Sequence, residues 1–167
     1  GSEAFDNCTA LNNLTLPSSL RTIGSSAFYG CTTVDTIVIP EGVTALGSNA
    51  FNRCSNLTSA TLPNSLVTLA DSTFRYCSKL YSISFGNALQ AIGNYAFYGC
   101  QLLDNVVIPN SVTSLGDYAF FECSALRAIV LPYALARIPR YCFYRCRSLN
   151  SITLPNTITN IGNQAFY

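Results

Sequence analysis

The sequence predicts an α/β solenoid in which seven turns of equal length stack into one rod. Two observations predict this fold. Phenylalanine recurs with a fixed period of 23, at positions 5, 28, 51, 74, 97, 120, 143 and 166. Cysteine follows each of the first seven of these phenylalanines by three positions, from Cys8 to Cys146. A period that is kept without insertion is typical of stacked units that share one continuous core.

The repeats assign residues 4–167 to a single solenoid domain. Residues 1–3 begin with Gly-Ser and are interpreted as an expression scar and a partial repeat. The seven full units and the final partial unit are 4–26, 27–49, 50–72, 73–95, 96–118, 119–141, 142–164 and 165–167.

The middle of each unit predicts a half-buried strand. Apolar residues alternate with smaller or polar ones, as in Ile37 and Ile39, with the period of two that a strand requires. Proline follows in six units, where it ends the strand, and Gly86 replaces it in the fourth. The apolar positions further on, such as Ile23, predict a second short strand. Glycine follows this second strand in five units and permits a sharp bend.

The end of each unit predicts a short helical turn. Ser25, Asn94 and their equivalents are residues that favour the N-cap of a helix. We therefore expect the A-F-x-x-C segment that follows them to form a short helix, which leads the chain into the next unit.

The complete motif, C-x-x-L-x-x-I-x-L-P-x-x-L-x-x-I-G-x-x-A-F-x-x-C, resembles the BspA-type (Treponema pallidum-type) leucine-rich repeat. The likeness covers residues 4–167. It implies a leucine-rich-repeat solenoid with a parallel β-sheet on the concave side. It also implies a surface-exposed or secreted protein that takes part in adhesion.

Composition excludes several function classes. The chain has 167 residues, a net charge of +1 and no His, and 49% of its residues are hydrophobic. The near-zero charge argues against a nucleic-acid partner, and no apolar window is long enough for insertion into a membrane. Without His, and with Lys79 as the only lysine, the titratable groups do not predict an active site. We therefore expect no catalysis and no cofactor.

The eight cysteines allow two interpretations. Seven occupy one inward position and are expected to form a column of buried thiols, in keeping with the burial of free Cys. Alternatively, Cys142 and Cys146, with Cys123 one turn below, could bind zinc, although a C-x-x-C pair and any His are missing. The first interpretation is favoured, so we expect no metal site.

Charged residues 23 apart should be neighbours on successive turns. Asp104–Arg127, Asp117–Arg140 and Glu122–Arg145 have this offset and predict ion pairs between turns. Residues 1–122 carry four basic and eight acidic groups, a net charge of −4, whereas residues 123–167 carry five arginines and no acid, a net charge of +5. The Arg-rich end is expected to attract an acidic partner.

Two faces are candidates for partner binding. The concave side presents small side chains flanked by a few larger ones, and it is the default binding surface of a solenoid. The helix side carries aromatic rings next to arginine, a combination enriched at interaction hot spots. The concave candidates are Asp35, Val38, Tyr81, Asp104, Val107, Arg127, Val130 and Tyr133. The helix-side candidates are Tyr95, Tyr98, Tyr118, Phe121, Tyr141, Tyr144 and Arg145.

The sequence therefore predicts a non-catalytic recognition or adhesion module from a larger surface or secreted protein. Its partner would be a host or matrix protein, another cell-surface protein or a glycan, bound over a broad solenoid face. The alternative is a purely structural scaffold or an engineered repeat fragment. The uncapped ends of such a fragment would lead to homo-oligomers by end-to-end association.

Overall fold

A computed structural model describes all residues, 1–167, as a parallel β-solenoid of about six turns. Six strands have three residues and seven have two, and they are numbered β1 to β13 in chain order. The three-residue strands are β2 (Thr36–Val38), β4 (Ser59–Thr61), β6 (Ser82–Ser84), β8 (Asn105–Val107), β10 (Ala128–Val130) and β12 (Ser151–Thr153). The two-residue strands are β1 (Thr22–Ile23), β3 (Ala45–Leu46), β5 (Thr68–Leu69), β7 (Ala91–Ile92), β9 (Ser114–Leu115), β11 (Arg137–Ile138) and β13 (Asn160–Ile161).

All strand pairs are parallel, and paired residues lie 23 apart in sequence, as in Ile37 opposite Ala60. The three-residue strands form two sheets, β2-β4-β6 and β8-β10-β12. The two-residue strands form the sheets β1-β3, β5-β7-β9 and β11-β13. The prediction of two strands in a turn is therefore confirmed from the second unit onwards.

The prediction of seven turns is not supported. Six turns carry a three-residue strand, whereas residues 11–17 of the first unit form none. The segment joins the second unit through the Thr33 hydroxyl, which donates to the carbonyl of Leu11 at 2.9 Å. Residues 11–17 therefore add no strand to the sheet, so the first unit is not equivalent to the others, although its β1 pairs with β3.

The prediction of a helical turn is wrong, because the structure contains no helix. Ser26 and Gly30 have φ angles of 53° and 66°, which lie in the left-handed region and interrupt any right-handed helix. The backbone N–H groups of Ser26, Phe28 and Gly30 instead donate to carbonyls of the next turn at 2.8–2.9 Å. The segment is a chain of tight turns that stack on one another.

The expected N-cap residues have a different role. Asp71 accepts a hydrogen bond from the backbone N–H of Asn94 at 2.8 Å, and Asn94 does the same for Asp117 at 2.8 Å. Each side chain thus satisfies a backbone donor of the following turn and caps no helix.

The glycine after each two-residue strand is required by close packing. A Cβ at Gly116 would overlap the backbone nitrogen of Asn94 in the preceding turn. The N–H of Gly116 donates to the carbonyl of Ile92 at 2.8 Å. The two-residue ladder is interrupted where Ala70 and Pro139 replace this glycine. Where alanine or proline stands at this position, the adjacent two-residue strands form no ladder, and proline also lacks the donor.

The core is one continuous column of phenylalanines, leucines and other apolar side chains. Equivalent rings of successive turns stack face to face from Phe5 to Phe166, with centroids 5.1–5.7 Å apart and planes within 18° of parallel. The predicted alignment of equivalent side chains is therefore confirmed.

Candidate functional site

The exposed side of the three-residue strands carries a row of valines. Val107 and Val130 are partners in the parallel ladder and are 67% and 55% exposed, whereas Val106 and Ile129, the residues that precede them, point into the core. The strand period of two explains this alternation. A third valine, Val38 on β2, is 66% exposed, and Thr61 and Ser84 occupy the equivalent positions between it and Val107.

Two tyrosines stand at the edges of this face. Tyr133 follows Pro132 and is 66% exposed, and Tyr81 precedes β6 and is 56% exposed. Beside β10 and β12, Val130, Tyr133 and Pro155 line a shallow groove of about 300 Å³. Asp35, the remaining candidate near the first strands, is exposed.

The charged pair on this face is loose. Arg127 lies with its Nε 3.4 Å from Oδ1 of Asp104, and its side chain is 67% exposed. The predicted ion pair between these turns is present. Most of the guanidinium of Arg127 remains free to bind a carboxylate of another molecule.

The aromatic residues on the turn side form two columns. Rings within each column stack with centroids 4.6–4.9 Å apart. Rings of neighbouring columns approach to 5.5–6.0 Å. The first column is Tyr95, Tyr118 and Tyr141, and the second is Tyr98, Phe121, Tyr144 and Tyr167.

This stacking limits what the turn side can bind. All six candidate rings are partly buried, because each covers the face of the next. Burial raises the pKa of Tyr98 to about 12, with smaller contributions from Tyr76 and Glu122, so its hydroxyl stays protonated at neutral pH. The columns present ring edges rather than the open faces that a ligand would stack on.

The other two predicted ion pairs are also present and are shorter. Arg140 and Asp117 approach to 2.8 Å, as do Arg145 and Glu122. Arg145 also lies 5.3 Å from the ring centroid of Tyr144. Hydrogen bonds to these carboxylates raise the pKa of both guanidinium groups.

Sequence reasoning missed two arginines. Arg137 lies 3.7 Å from Asp117, which therefore holds two guanidinium groups. The offset between these two positions differs from the repeat period, and this concealed the pair. Arg75 lies 4.9–5.4 Å from the ring centroids of Tyr76, Tyr95 and Tyr98, which is within cation–π distance. Arg75 lies 23 residues before Tyr98, and this offset, which equals the repeat period, could have predicted the contact.

The cysteines are free and, except for the half-buried Cys8, buried. Six thiols, from Cys31 to Cys146, donate to the carbonyl of the phenylalanine 26 residues earlier at 3.0–3.2 Å. Burial raises the pKa of Cys54 and of Cys146 to about 12. No cluster of His, Cys, Asp or Glu has the arrangement of a metal site.

The comparisons with known proteins identify the family. The family of the BspA type leucine rich repeat region matches residues 1–127 and 90–167 in six copies. The chain belongs to the BspA-type leucine-rich repeat family. The comparison with curated proteins finds no match.

Three solved structures of leucine-rich repeat proteins resemble this BspA-type chain. The Treponema pallidum leucine rich repeat protein is 33% identical, with a TM-score of 0.85 over 88% of this chain and 71% of its own. A leucine rich cell surface protein from Faecalibacterium prausnitzii A2-165 is 30% identical, with a TM-score of 0.74 over 99% and 54%. A Bacteroides ovatus protein is 28% identical, with a TM-score of 0.61 over 100% and 61%.

These matches indicate no catalytic family. The chain spans only about half to seven tenths of the length of these relatives. No helix of the length and apolarity that a membrane crossing requires is found in the structure.

Proposed function

We propose that this chain is a non-catalytic protein-recognition module that binds its partner on the exposed side of β8, β10 and β12. The observation that carries the proposal is the exposed row of Val107 and Val130 with Tyr133 beside it. Exposed apolar side chains that adjoin one another on a rigid sheet are typical of interaction sites.

The charge of this region indicates the chemistry of the partner. Arg127 is largely exposed beside the valines, and its carboxylate contact is long. A partner with apolar side chains next to a carboxylate would bury the valines and pair with Arg127. Charge complementarity of this kind contributes more to specificity and to the association rate than to affinity.

The proposal also assigns this module a location at the cell surface and a role in adhesion. One relative, from Faecalibacterium prausnitzii, is described as a cell surface protein. By analogy with it, we place this module in a larger surface or secreted protein, with a host or matrix protein or another cell-surface protein as its partner.

The turn side is the weaker candidate. Its tyrosines cover one another, and Arg140 and Arg145 are held by carboxylates of the same chain. A ligand there would have to displace these contacts, whereas the valine row on the sheet is open.

The test measures binding to immobilised fibronectin, laminin and type I collagen by biolayer interferometry. The double variant Val107→Ser/Val130→Ser is expected to weaken binding about tenfold or more, because two central apolar side chains are lost. Val67→Ser is the matched control, since Val67 is also exposed, at 44%, but belongs to the two-residue-strand side. Undiminished binding by the double variant would contradict the proposed face. Absence of binding by the unaltered chain would contradict a matrix-protein partner.

A further inference from the structure

The sheet of three-residue strands is interrupted between β6 and β8. These strands form no ladder, although every other consecutive pair of three-residue strands does. At equivalent positions, the N–H of Leu62 donates to Ser84 at 2.8 Å and that of Ile108 donates to Val130 at 3.1 Å. The N–H of Phe85 has no such bond, and neither has that of Leu131, although β10 and β12 are paired. The N–H of Asp104 also lacks the bond that Arg127 makes one turn later.

The same two turns are joined on their other sides. On the turn side, the N–H groups of Phe74 and Tyr76 donate to carbonyls of the next turn at 2.9 and 2.7 Å. On the side of the two-residue strands, β7 and β9 are paired in register. The interruption is therefore confined to one side of the solenoid, which is the arrangement of a hinge with an open edge.

Phe85 and Gly86 account for the interruption. The Phe85 ring meets Phe97 of the next turn edge to face at 5.9 Å, where the other turns place Leu or Ile. The larger ring occupies space between the turns and keeps β6 from β8. Gly86 lies so close to the preceding turn that a Cβ would overlap the carbonyl oxygen of Pro63. With Phe85 in place only glycine fits there, and this explains the loss of the proline found at this position in the other turns.

We infer that a hinge at Phe85 and Gly86 divides the sheet face into two surfaces, and that the C-terminal one binds the partner. The N-terminal surface consists of β2, β4 and β6, and the C-terminal surface consists of β8, β10 and β12. Three strands at the usual spacing span about 10 Å. The C-terminal surface therefore fits a narrow apolar segment of a protein partner with a carboxylate beside it, rather than a broad protein face.

The two surfaces differ in chemistry. On the N-terminal surface Val38 is the one exposed valine, and Thr61 and Ser84 take its place in the next two turns, with Asp35 and Tyr81 at the edge. The C-terminal surface has Val107, Val130 and Arg127. The assignment of a partner to the C-terminal surface rests on the proposed function, whereas the hinge rests on hydrogen bonds and packing alone.

Amide hydrogen exchange of the unmodified chain, followed by NMR, tests the hinge without any ligand. The amides of Phe85 and Asp104 are expected to exchange about 100-fold faster than those of Leu62 and Arg127, because the first two have no acceptor. Equal protection within each matched pair would overturn the inference. A failed binding assay would leave this result unchanged, so the two proposals can fail separately.

Residual dipolar couplings test whether the open edge permits movement. Couplings of residues 27–84 and of residues 105–165 are expected to require different alignment strengths, because the two halves reorient relative to each other. A single alignment tensor that fits both halves would overturn the hinge.

The double variant Phe85→Leu/Gly86→Pro restores the residues of the other turns. It is expected to slow exchange at positions 85 and 104 to within about threefold of Leu62 and Arg127. Gly86→Pro alone is the control. Its ring would collide with the Pro63 carbonyl while Phe85 holds the turns apart, so we expect a lower melting temperature than that of the double variant. Unchanged rapid exchange in the folded double variant would show that Phe85 does not cause the interruption.

Discussion

At the scale of single residues, the buried thiols connect successive turns. Each phenylalanine carbonyl from Phe5 to Phe120 accepts a thiol hydrogen bond from the next turn, as from Cys100 to Phe74 at 3.1 Å. A cysteine at this position is both a small apolar side chain and a weak donor, which explains how it serves a position otherwise surrounded by Phe and Leu.

Alkylation should distinguish Cys8 from the other seven cysteines. At pH 8, iodoacetamide is expected to add one label to the native chain, at the half-buried Cys8, and eight labels in guanidinium chloride. The reason is that thiolates are the reactive species, and burial raises the pKa of thiols such as Cys77 well above the usual value. Intact-mass spectrometry counts the labels. Rapid labelling of several cysteines in the native chain would contradict the buried column.

The same thiols predict that alkaline pH destabilises the fold. In the unfolded chain they lose their protons near pH 9, whereas the folded chain keeps the protons of Cys54 and Cys146 until about pH 12. The native state then binds more protons, so the free energy of unfolding falls as pH rises through this window and is fully retained below it. Each buried thiol contributes a slope of about 1.4 kcal/mol for one pH unit.

Urea denaturation at pH 7.5 and pH 10 measures this effect. The midpoint should be clearly lower at pH 10. Cys100→Ala removes one buried thiol and should make the decrease smaller, although the variant itself is less stable by about 1–3 kcal/mol through the lost packing and hydrogen bond. A midpoint that does not change with pH would exclude the titration of buried thiols.

At the scale of elements, the glycine that follows each two-residue strand sets the distance between turns. Gly116→Ala is expected to lower the free energy of unfolding by about 2–4 kcal/mol, because the new Cβ overlaps the backbone of Asn94 and breaks the bond from Gly116 to Ile92. Thermal melting followed by circular dichroism measures the loss.

Ala70→Gly is the control for this prediction. The turn at Ala70 has already lost its ladder, and a glycine there adds no Cβ that could overlap the preceding turn, so it should not cause a comparable loss. Equal destabilisation by the two substitutions would mean that glycine content, rather than the overlap between turns, decides stability.

The repeat period predicted the stack, the Phe column and ion pairs such as Asp117–Arg140, because a fixed offset converts sequence distance into adjacency. The helical turn was not predictable in this way. Asn94 has the residue type of an N-cap, but the same side chain serves equally well as an acceptor for the next turn. Tyr95, with φ of 57°, is an uncommon occupant of the left-handed region that only the stacked neighbours hold in place.

The candidate binding residues on the sheet were predictable, because side chains alternate along a strand, which exposes Val107 and buries Val106. The interruption beside β8 did not follow from the sequence. In the sequence, Phe85 and Gly86 look like two independent departures from the Leu or Ile and the Pro of the other repeats. Their effect depends on where the ring and the backbone move, which is a property of the packing between turns.

At the scale of the whole molecule, the structure weakens the charge asymmetry. The acids Asp104, Asp117 and Glu122 belong to the same half as the arginines that they hold. With these three acids counted, residues 96–167 have five basic and three acidic groups, a net charge of +2. Attraction of an acidic partner therefore depends on exposed groups such as Arg127 rather than on a field of the entire C-terminal end.

The hinge also predicts that the two halves of the solenoid unfold separately. In a stack, each turn contacts only its neighbours, so stability is a sum of local terms, and the junction between β6 and β8 has lost the longer of its two ladders. The chain has no Trp, and six of its ten tyrosines lie in residues 96–167, with Tyr95 directly before them and stacked on Tyr118, so tyrosine fluorescence reports mainly on the C-terminal half. The six are Tyr98, Tyr118, Tyr133, Tyr141, Tyr144 and Tyr167.

Circular dichroism reports on both halves, because strands and turns are distributed along the entire chain. In a guanidinium titration we therefore expect the fluorescence and circular dichroism midpoints to differ, which excludes a two-state transition. In Phe85→Leu/Gly86→Pro the ladder between β6 and β8 should form, and the two midpoints should then coincide. Coincident midpoints in the unaltered chain would show that the other two sides of the junction, through Phe74, Tyr76 and β7–β9, are sufficient to hold the solenoid as one cooperative unit.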